Sequence, residues 1–276
     1  MREIVLAIRR SLQLPVDCRE ISPTKFTEKS MRQIETTKAW EGNRRIELAD
    51  IFQVAEKKGE GPDETSIRIV GDAAKIRKVG YKMSGGSLIV DGNAGMYLGE
   101  EMSGGSILAS GNAGSWLGTK MRGGQIEVKG NAADYIGAGY RGTTLGMKNG
   151  SIIIHGNAGH EVGCWMANGT IRIKGSAGIF PGIHMADGTI FVGGNCDGRA
   201  GAQMKGGKVI IGGQLPSILP SFSFEQIQDK VKVGEEKVPG PFYAFSGDMN
   251  EEGKGRLSVS LKNNPHLKWY EKYLEA

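Results

Sequence analysis

The chain has 276 residues, of which 39% are hydrophobic and 44 are glycine, a length that suits one large domain or two ordinary ones. Its net charge of +5 is spread without a run of five basic residues, which argues against a nucleic-acid patch. Cys18, Cys164 and Cys196 form no Cys-x-x-Cys motif, which argues against a secreted disulfide scaffold.

Residues 1–65 lie outside any repeat and are expected to form an N-terminal cap. Arg2–Arg10 reads as a strand. Its apolar run Ile4–Ile8 is too short for a signal peptide or a membrane span, so a cytoplasmic chain that binds no membrane is expected. Pro23–Thr37 reads as a turn entering a helix at Ser30–Ile34, and Ile46–Val54 as a second strand. Lys57–Thr65 is a charged linker containing glycine and proline.

Residues 66–213 repeat one short unit. Its anchor glycines are Gly71, Gly92, Gly111, Gly130, Gly156, Gly175, Gly194 and Gly213, spaced 21, 19, 19, 26, 19, 19 and 19 residues apart. A methionine keeps the same time from Met83 to Met204, so the interval of 26 is one seven-residue insertion within Tyr135–Leu145. Two and four residues before each anchor stand branched aliphatics such as Ile152/Ile154 and Ile190/Val192, with Ala109 the small exception. This period of two predicts one short strand per unit, and units that bury their apolar faces only against each other. The predicted fold class is an all-β solenoid, a right-handed parallel β-helix of about seven to eight 19-residue coils with small mixed terminal caps. Asn93, Asn112, Asn131, Asn157 and Asn195 are expected to stack as an amide ladder. The row from Ala73 to Ala177 marks a tight inward slot that Cys196 also fills.

After Gly213, residues 214–276 read as a second cap or an arm. Leu215–Pro220 turns away, Val231–Tyr243 and Gly255–Leu261 read as strands, and His266–Leu274 as a short helix.

No catalytic, cofactor-binding or metal site is expected on this chain. Gly137–Gly142 matches GxGxxG but falls in the insertion, without the strand and helix that a dinucleotide site needs. His155, His160, Glu161 and Cys164 are close in sequence, yet their slots in the repeat point in different directions, so no metal is expected there. The outer face is more informative. Three residues before the anchors stand Ile89, Leu108, Ile153, Phe191 and Ile210; five residues after them stand Tyr97, Trp116, Tyr135 and Phe180. Such rows on a surface predict cover by the caps or by a partner protein, and at least one partner interface is expected.

The runs at 92–105, 111–124 and 156–169 resemble the GXGXG β-helix shared by the C subunit of formylmethanofuran dehydrogenase and the C-terminal domain of glutamate synthase. Ile21–Pro23, Trp40–Arg44 with Ile46–Phe52, Phe242-Tyr243 with Gly247-Asp248 and Gly253–Gly255, and the insertion with Tyr140–Gly142 are similar to the former. The resemblance implies a structural subunit of an oxidoreductase complex that reduces CO2 and fixes it on methanofuran as a formyl group, in methanogenesis or related C1 metabolism. It implies a partner, the amidohydrolase-like subunit with its binuclear metal centre. It also implies a tungsten- or molybdenum-pterin and iron–sulfur clusters in other subunits, and no cofactor on this chain. The C subunit of a formyltransferase/hydrolase complex is the first alternative. A glutamate-synthase-type module is the second, disfavoured by flanks that look like the dehydrogenase C subunit and by the lack of a synthase domain upstream. A carbohydrate-active β-helix would need a cluster of acids or basic residues along one groove, and none lines up in the ladders.

Overall fold

The computed structural model describes residues 2–59 and 65–274; the stretch 60–64 of the expected linker lies outside them. The N-terminal part forms β1 (Arg2–Ile8), β2 (Val16–Asp17), α1 (Pro23–Phe26), α2 (Met31–Glu35), β3 (Lys38–Glu41), β4 (Arg44–Glu47) and β5 (Phe52–Lys58). The repeats give β6 (Thr65–Val70), β7 (Ile76–Arg77), β8 (Ser84–Asp91), β9 (Gly104–Ala109), β10 (Gln125–Val128), β11 (Ser151–Ile154) and β12 (Thr170–Ile173). They continue as β13 (Ala177–Ile179), β14 (Thr189–Val192), β15 (Cys196–Gly198) and β16 (Lys208–Ile211). The chain then adds β17 (Ser223–Val233), β18 (Glu236–Gly247) and β19 (Gly255–Ser260).

The strand pairing corrects the expected solenoid. The repeats do not form a right-handed β-helix set apart from small caps; they belong to one mixed sheet of 13 strands, ordered β17-β18-β19-β16-β14-β12-β11-β10-β9-β8-β6-β1-β5. Its middle is parallel and in register, for example Ile126 opposite Ile152 and Ile152 opposite Ile171. At one end β1 pairs parallel to β6 and antiparallel to β5; at the other β19 pairs parallel to β16 and antiparallel to β18. Strands of both flanks therefore extend the sheet, while β2, β3 and β4 form a separate four-stranded sheet with β7. Elsewhere in the repeats, extended structure shrinks to β7, which pairs with β2, the pair β13-β15 and single bridges along the alanine row. The reason is local. Glycines and left-handed residues fill the returns between sheet strands, so these run as turns.

One face of the sheet is the core. Ile67, Ile69, Ile126, Val128, Ile152, Ile154, Ile171 and Ile173 are fully buried, as is every methionine of the repeat row. Burial contributes about 1.5–3 kcal/mol for each large aliphatic. Two glycines show how closely the returns pack on it. A Cβ on Gly118 (φ 61°) would stand 2.5 Å from Ile152 Cδ1, and one on Gly124 (φ 82°) 2.6 Å from Met102 Cε.

Four further expectations are corrected. Ile46–Val54 is not one strand, because a 3-10 turn at Leu48–Asp50 separates β4 from β5. Val231–Tyr243 contains the tip of the β17–β18 hairpin at Gly234, whose φ of 60° suits glycine. The C-terminal helix is a 3-10 helix over Pro265–Tyr273. The asparagine ladder joins side chain to backbone, not amide to amide. Asn93 Oδ1 accepts the Asn112 N–H at 2.9 Å, and Asn112 and Asn131 repeat the contact at 2.8 Å. Ser176 keeps the ladder going through its hydroxyl, which accepts the Asn195 N–H.

Candidate partner-binding face

The outward row on the sheet is less apolar than its sequence positions suggest. Register places Arg68 beside Ile89, Glu127 between Leu108 and Ile153, and Arg172 between Ile153 and Phe191. Arg68 pairs with Glu3 at 3.0 Å and Asp91 at 2.8 Å. Glu127 Oε1 lies 2.6 Å from His155 Nε2. Lys129 first, and His155 after it, hold the Glu127 carboxyl below its ordinary range. The chain itself closes one end of the row. Ile210 is 1% exposed beneath Val231, Val233 and Phe242 of the hairpin, with Phe191 and Val238 packed alongside. Arg172 lies over the Phe191 ring and pairs with Glu236 near the hairpin tip at 2.7 Å. Ile89, Leu108 and Ile153 are half-buried.

Tyr97, Trp116, Tyr135 and Phe180 occupy a different kind of position. Their φ values are 63°, 66°, 65° and 64°, and Lys78, Glu161 and Arg199 hold the same slot at 61°, 54° and 54°. A left-handed conformation costs a non-glycine residue about 1–2 kcal/mol. Here it is fixed by the next repeat: Trp116 N–H donates to Asp134 O at 2.9 Å and Tyr135 N–H to His160 O at 2.9 Å. The structure brings three of the four rings together. Tyr97 and Trp116 stack at 6.1 Å, and Trp116 and Tyr135 at 4.3 Å. Glu161 separates Phe180 from them, and Arg199 lies 5.3 Å over the Phe180 ring.

The insertion supplies a fourth ring. Tyr140 tilts against Trp116 at 5.4 Å and Tyr97 at 6.2 Å, and its hydroxyl donates to Glu100 Oε1. Glu100 is 3% exposed and its other oxygen lies 3.2 Å from Lys78 Nζ. Lys120 sits 4.7 Å above the Tyr140 ring. Burial first, and the Glu100 carboxylate second, push the Tyr140 phenol up from its ordinary value.

Beside these rings opens a cleft of about 230 Å³, lined by Trp116, Tyr135, Tyr140, Arg141, Glu161, Cys164, Trp165 and His184 among others. Trp165 and His184 stack at 4.1 Å with an angle of 7°. Burial pushes the Cys164 thiol up to about 12, with Glu161 adding to it, so at neutral pH the sulfur is an unreactive thiol. The sequence rows missed Trp165, His184, Tyr140 and Glu100. The signal for Trp165 and His184 was present: each immediately precedes a methionine of the repeat, Met166 and Met185.

His155 faces Glu127 while His160 Nδ1 accepts the Ile179 N–H, so the two do not converge. Among the described residues no group of three or more His, Cys, Asp or Glu side chains is placed to hold a metal ion. Gly137–Gly142 opens no helix. No helix among the described residues is long and apolar enough to cross a membrane.

No family model matches the chain. A segment of 98 residues is 37% identical to the C subunit of the molybdenum-containing formylmethanofuran dehydrogenase 1 of Methanosarcina barkeri, spanning 36% of this chain and 33% of that protein. A segment of 99 residues is 39% identical to the C subunit of the tungsten-containing formylmethanofuran dehydrogenase 2 of Methanothermobacter wolfeii, spanning 36% of this chain and 37% of that one. The matches thus span about a third of the length of these curated relatives. Three-dimensional likeness reaches further. A chain in the crystal structure of the formyltransferase/hydrolase complex from Methylorubrum extorquens with methylofuran superimposes with a TM-score of 0.82 at 30% identity. That match covers 93% of this chain and 99% of the other. Such likeness defines a class, the glycine-repeat sheet chains of multi-subunit formyl-handling complexes. Within that class, the chain belongs to the family of formylmethanofuran dehydrogenase C subunits.

Proposed function

We propose that this chain is the scaffold subunit of a formylmethanofuran dehydrogenase complex, which reduces CO2 and leaves it as a formyl group on a methanofuran-type carrier. The observation that carries this reading is the end-to-end likeness to a chain of a formyl-handling assembly, joined to segment identity with the C subunits of two dehydrogenases. In this reading the pterin-bound tungsten or molybdenum and the iron–sulfur clusters sit in other subunits. So does the binuclear metal centre, in an amidohydrolase-like subunit.

The chain's own part is to present fixed surfaces. In-register pairing across the sheet makes the outer face rigid, and the aromatic column sits on backbone held by the neighbouring repeat. The amidohydrolase-like subunit docks on the rings of Tyr97, Trp116 and Tyr135, and Ile89, Leu108 and Ile153 give a second contact. Phe191 and Ile210 lie under the hairpin and serve the chain itself.

A second reading is favoured by the extent of the structural match: the C subunit of a formyltransferase/hydrolase complex, in which the same scaffold serves transfer or hydrolysis of the formyl group. Native purification through a tag on this chain, followed by mass and metal analysis, separates them. Co-purified tungsten or molybdenum with iron supports the dehydrogenase. An amidohydrolase-like partner without those metals supports the formyltransferase/hydrolase. A lone chain that purifies with no partner overturns both.

A further inference from the structure

We propose that the cleft at Glu161 is an anchor pocket for one arginine side chain of the docking partner, whose guanidinium stacks on the aromatic wall and pairs with the Glu161 carboxylate. The inference rests on the reading of the aromatic column as a docking face, and it names the chemistry at the centre of that face.

Three members of the column carry charge. Lys78 lies 5.2 Å over the Tyr97 ring and 3.2 Å from Glu100, and Arg199 lies 5.3 Å over the Phe180 ring. Both are cations on ring faces, where the ring quadrupole attracts them. Glu161 holds the same slot between Tyr135 and Phe180, and ring faces repel a carboxylate. Among the described residues no Lys, Arg or His nitrogen lies within 4 Å of its oxygens. Arg141 shares the cleft, but its guanidinium turns to the Tyr135 hydroxyl at 3.4 Å and is exposed. The half-buried carboxylate thus shares the cleft with the Cys164 thiol and feels the Arg141 charge across it, but no cation lies against it as Lys78 lies against Glu100.

The walls decide which cation fits. Trp116 and Tyr135 are near-parallel at 15°, and Trp165 and His184 at 7°, so the cleft is bounded by flat faces. A planar guanidinium stacks on such faces and offers a two-pronged donor to a carboxylate; an ammonium offers a point charge and prefers water. Arginine clamped by aromatic rings is also the chemistry typical of interface hot spots. A backbone strained to φ 54° at Glu161, where glycine would rest freely, fits a side chain kept for contact.

The test uses the tagged full chain expressed with its native partners. Retained partner is measured across a salt series, and the melting temperature of each chain reports folding. Glu161→Gln keeps the shape of the side chain, so the melting temperature should stay as in the parent while partner retention falls at least tenfold. Glu161→Lys should abolish retention, and Arg141→Ala should leave it unchanged. If Glu161→Gln retains partner fully while Trp116→Asp loses it, the arginine anchor is wrong and the docking face stands. If both variants retain partner, anchor and face fall together. If Arg141→Ala loses as much as Glu161→Gln, the carboxylate serves the chain's own insertion and the anchor is again wrong.

Discussion

The outer row on the sheet and the aromatic column at the turns repeat with the same period, yet they follow different physics. On the sheet, extended backbone accepts almost any side chain, so Arg68, Glu127 and Arg172 interrupt the row and are answered by local partners. In the column each non-glycine residue carries the cost of a left-handed backbone. Rings kept at that cost are a stronger sign of use than aliphatics on a strand. The two also close differently. The hairpin covers Phe191 and Ile210, whereas the insertion adds Tyr140 to the column and leaves a cleft beside it. An apolar repeat on a strand thus points as readily to the chain's own fold as to a partner.

The largest effect expected on this contrast comes from Trp116→Asp. Trp116 touches three other rings, and each aromatic pair is worth about 0.5–1.5 kcal/mol beyond area burial. The column should lose roughly 2–4 kcal/mol of local stability, and partner yield should fall more than tenfold in tag purification. Normal yield with unchanged melting would remove the column from the interface. Val233→Asp tests the other surface. It sets a charge against Ile210 beneath the hairpin, at a cost of about 2–3 kcal/mol. Apolar-dye binding and protease cleavage near Gly234 should rise while partner yield holds. A drop in yield equal to that of Trp116→Asp would mean that the hairpin, too, is a docking element.

The strand positions and the buried aliphatic pairs were legible because period two and a 19-residue interval mark them twice over. The architecture was less so. Repetition alone does not say how much of each return is extended, nor that β1 and β19 add on in parallel at the two ends, since that depends on pairing between distant segments. Ser176 looks like a lapse in the asparagine row, yet its hydroxyl does the asparagine's work. Cys196, read as a small buried side chain, is 2% exposed and pairs with Ala177 in the alanine row. Glu100 carries no mark in the sequence rows. Its burial depends on Tyr140, which the insertion takes out of register, so no periodic argument could join the two.

Tyr140→Phe removes the hydroxyl that donates to Glu100 and leaves Lys78 as its partner. A buried acceptor deprived of a donor costs about 1–3 kcal/mol. Hydrogen exchange should quicken across 139–146 while β10 to β14 stay protected; equal protection would show that the insertion is held by ring packing alone. The pH dependence has a definite sign. The Tyr140 and Tyr243 phenols are both raised above their ordinary 10.0, Tyr243 to about 12, first by burial and then by Glu100 and Glu271 respectively. The protonated forms are favoured in the fold. Their contribution is therefore full below pH 10 and is lost as pH rises from 10 toward 12, where the unfolded chain ionises first. Tyr243→Phe should flatten part of that alkaline slope.

The smallest effect sharpens the comparison most. Phe180→Gly removes a ring but places glycine at φ 64°, which relieves about 1–2 kcal/mol of backbone cost. Against this stand the contact with Arg199, about 0.5–1 kcal/mol for an exposed cation on a ring, and the added freedom of glycine in the unfolded chain, again about 0.5–1 kcal/mol. The terms nearly cancel, so chain stability should change by less than about 1 kcal/mol. Ile190→Gly, at a fully buried position of β14, should cost more than the 2–5 kcal/mol of an Ile→Ala change. If Phe180→Gly proves as costly as Ile190→Gly, the rings of the column are held by the fold's own packing, and strain at that slot ceases to argue for a partner.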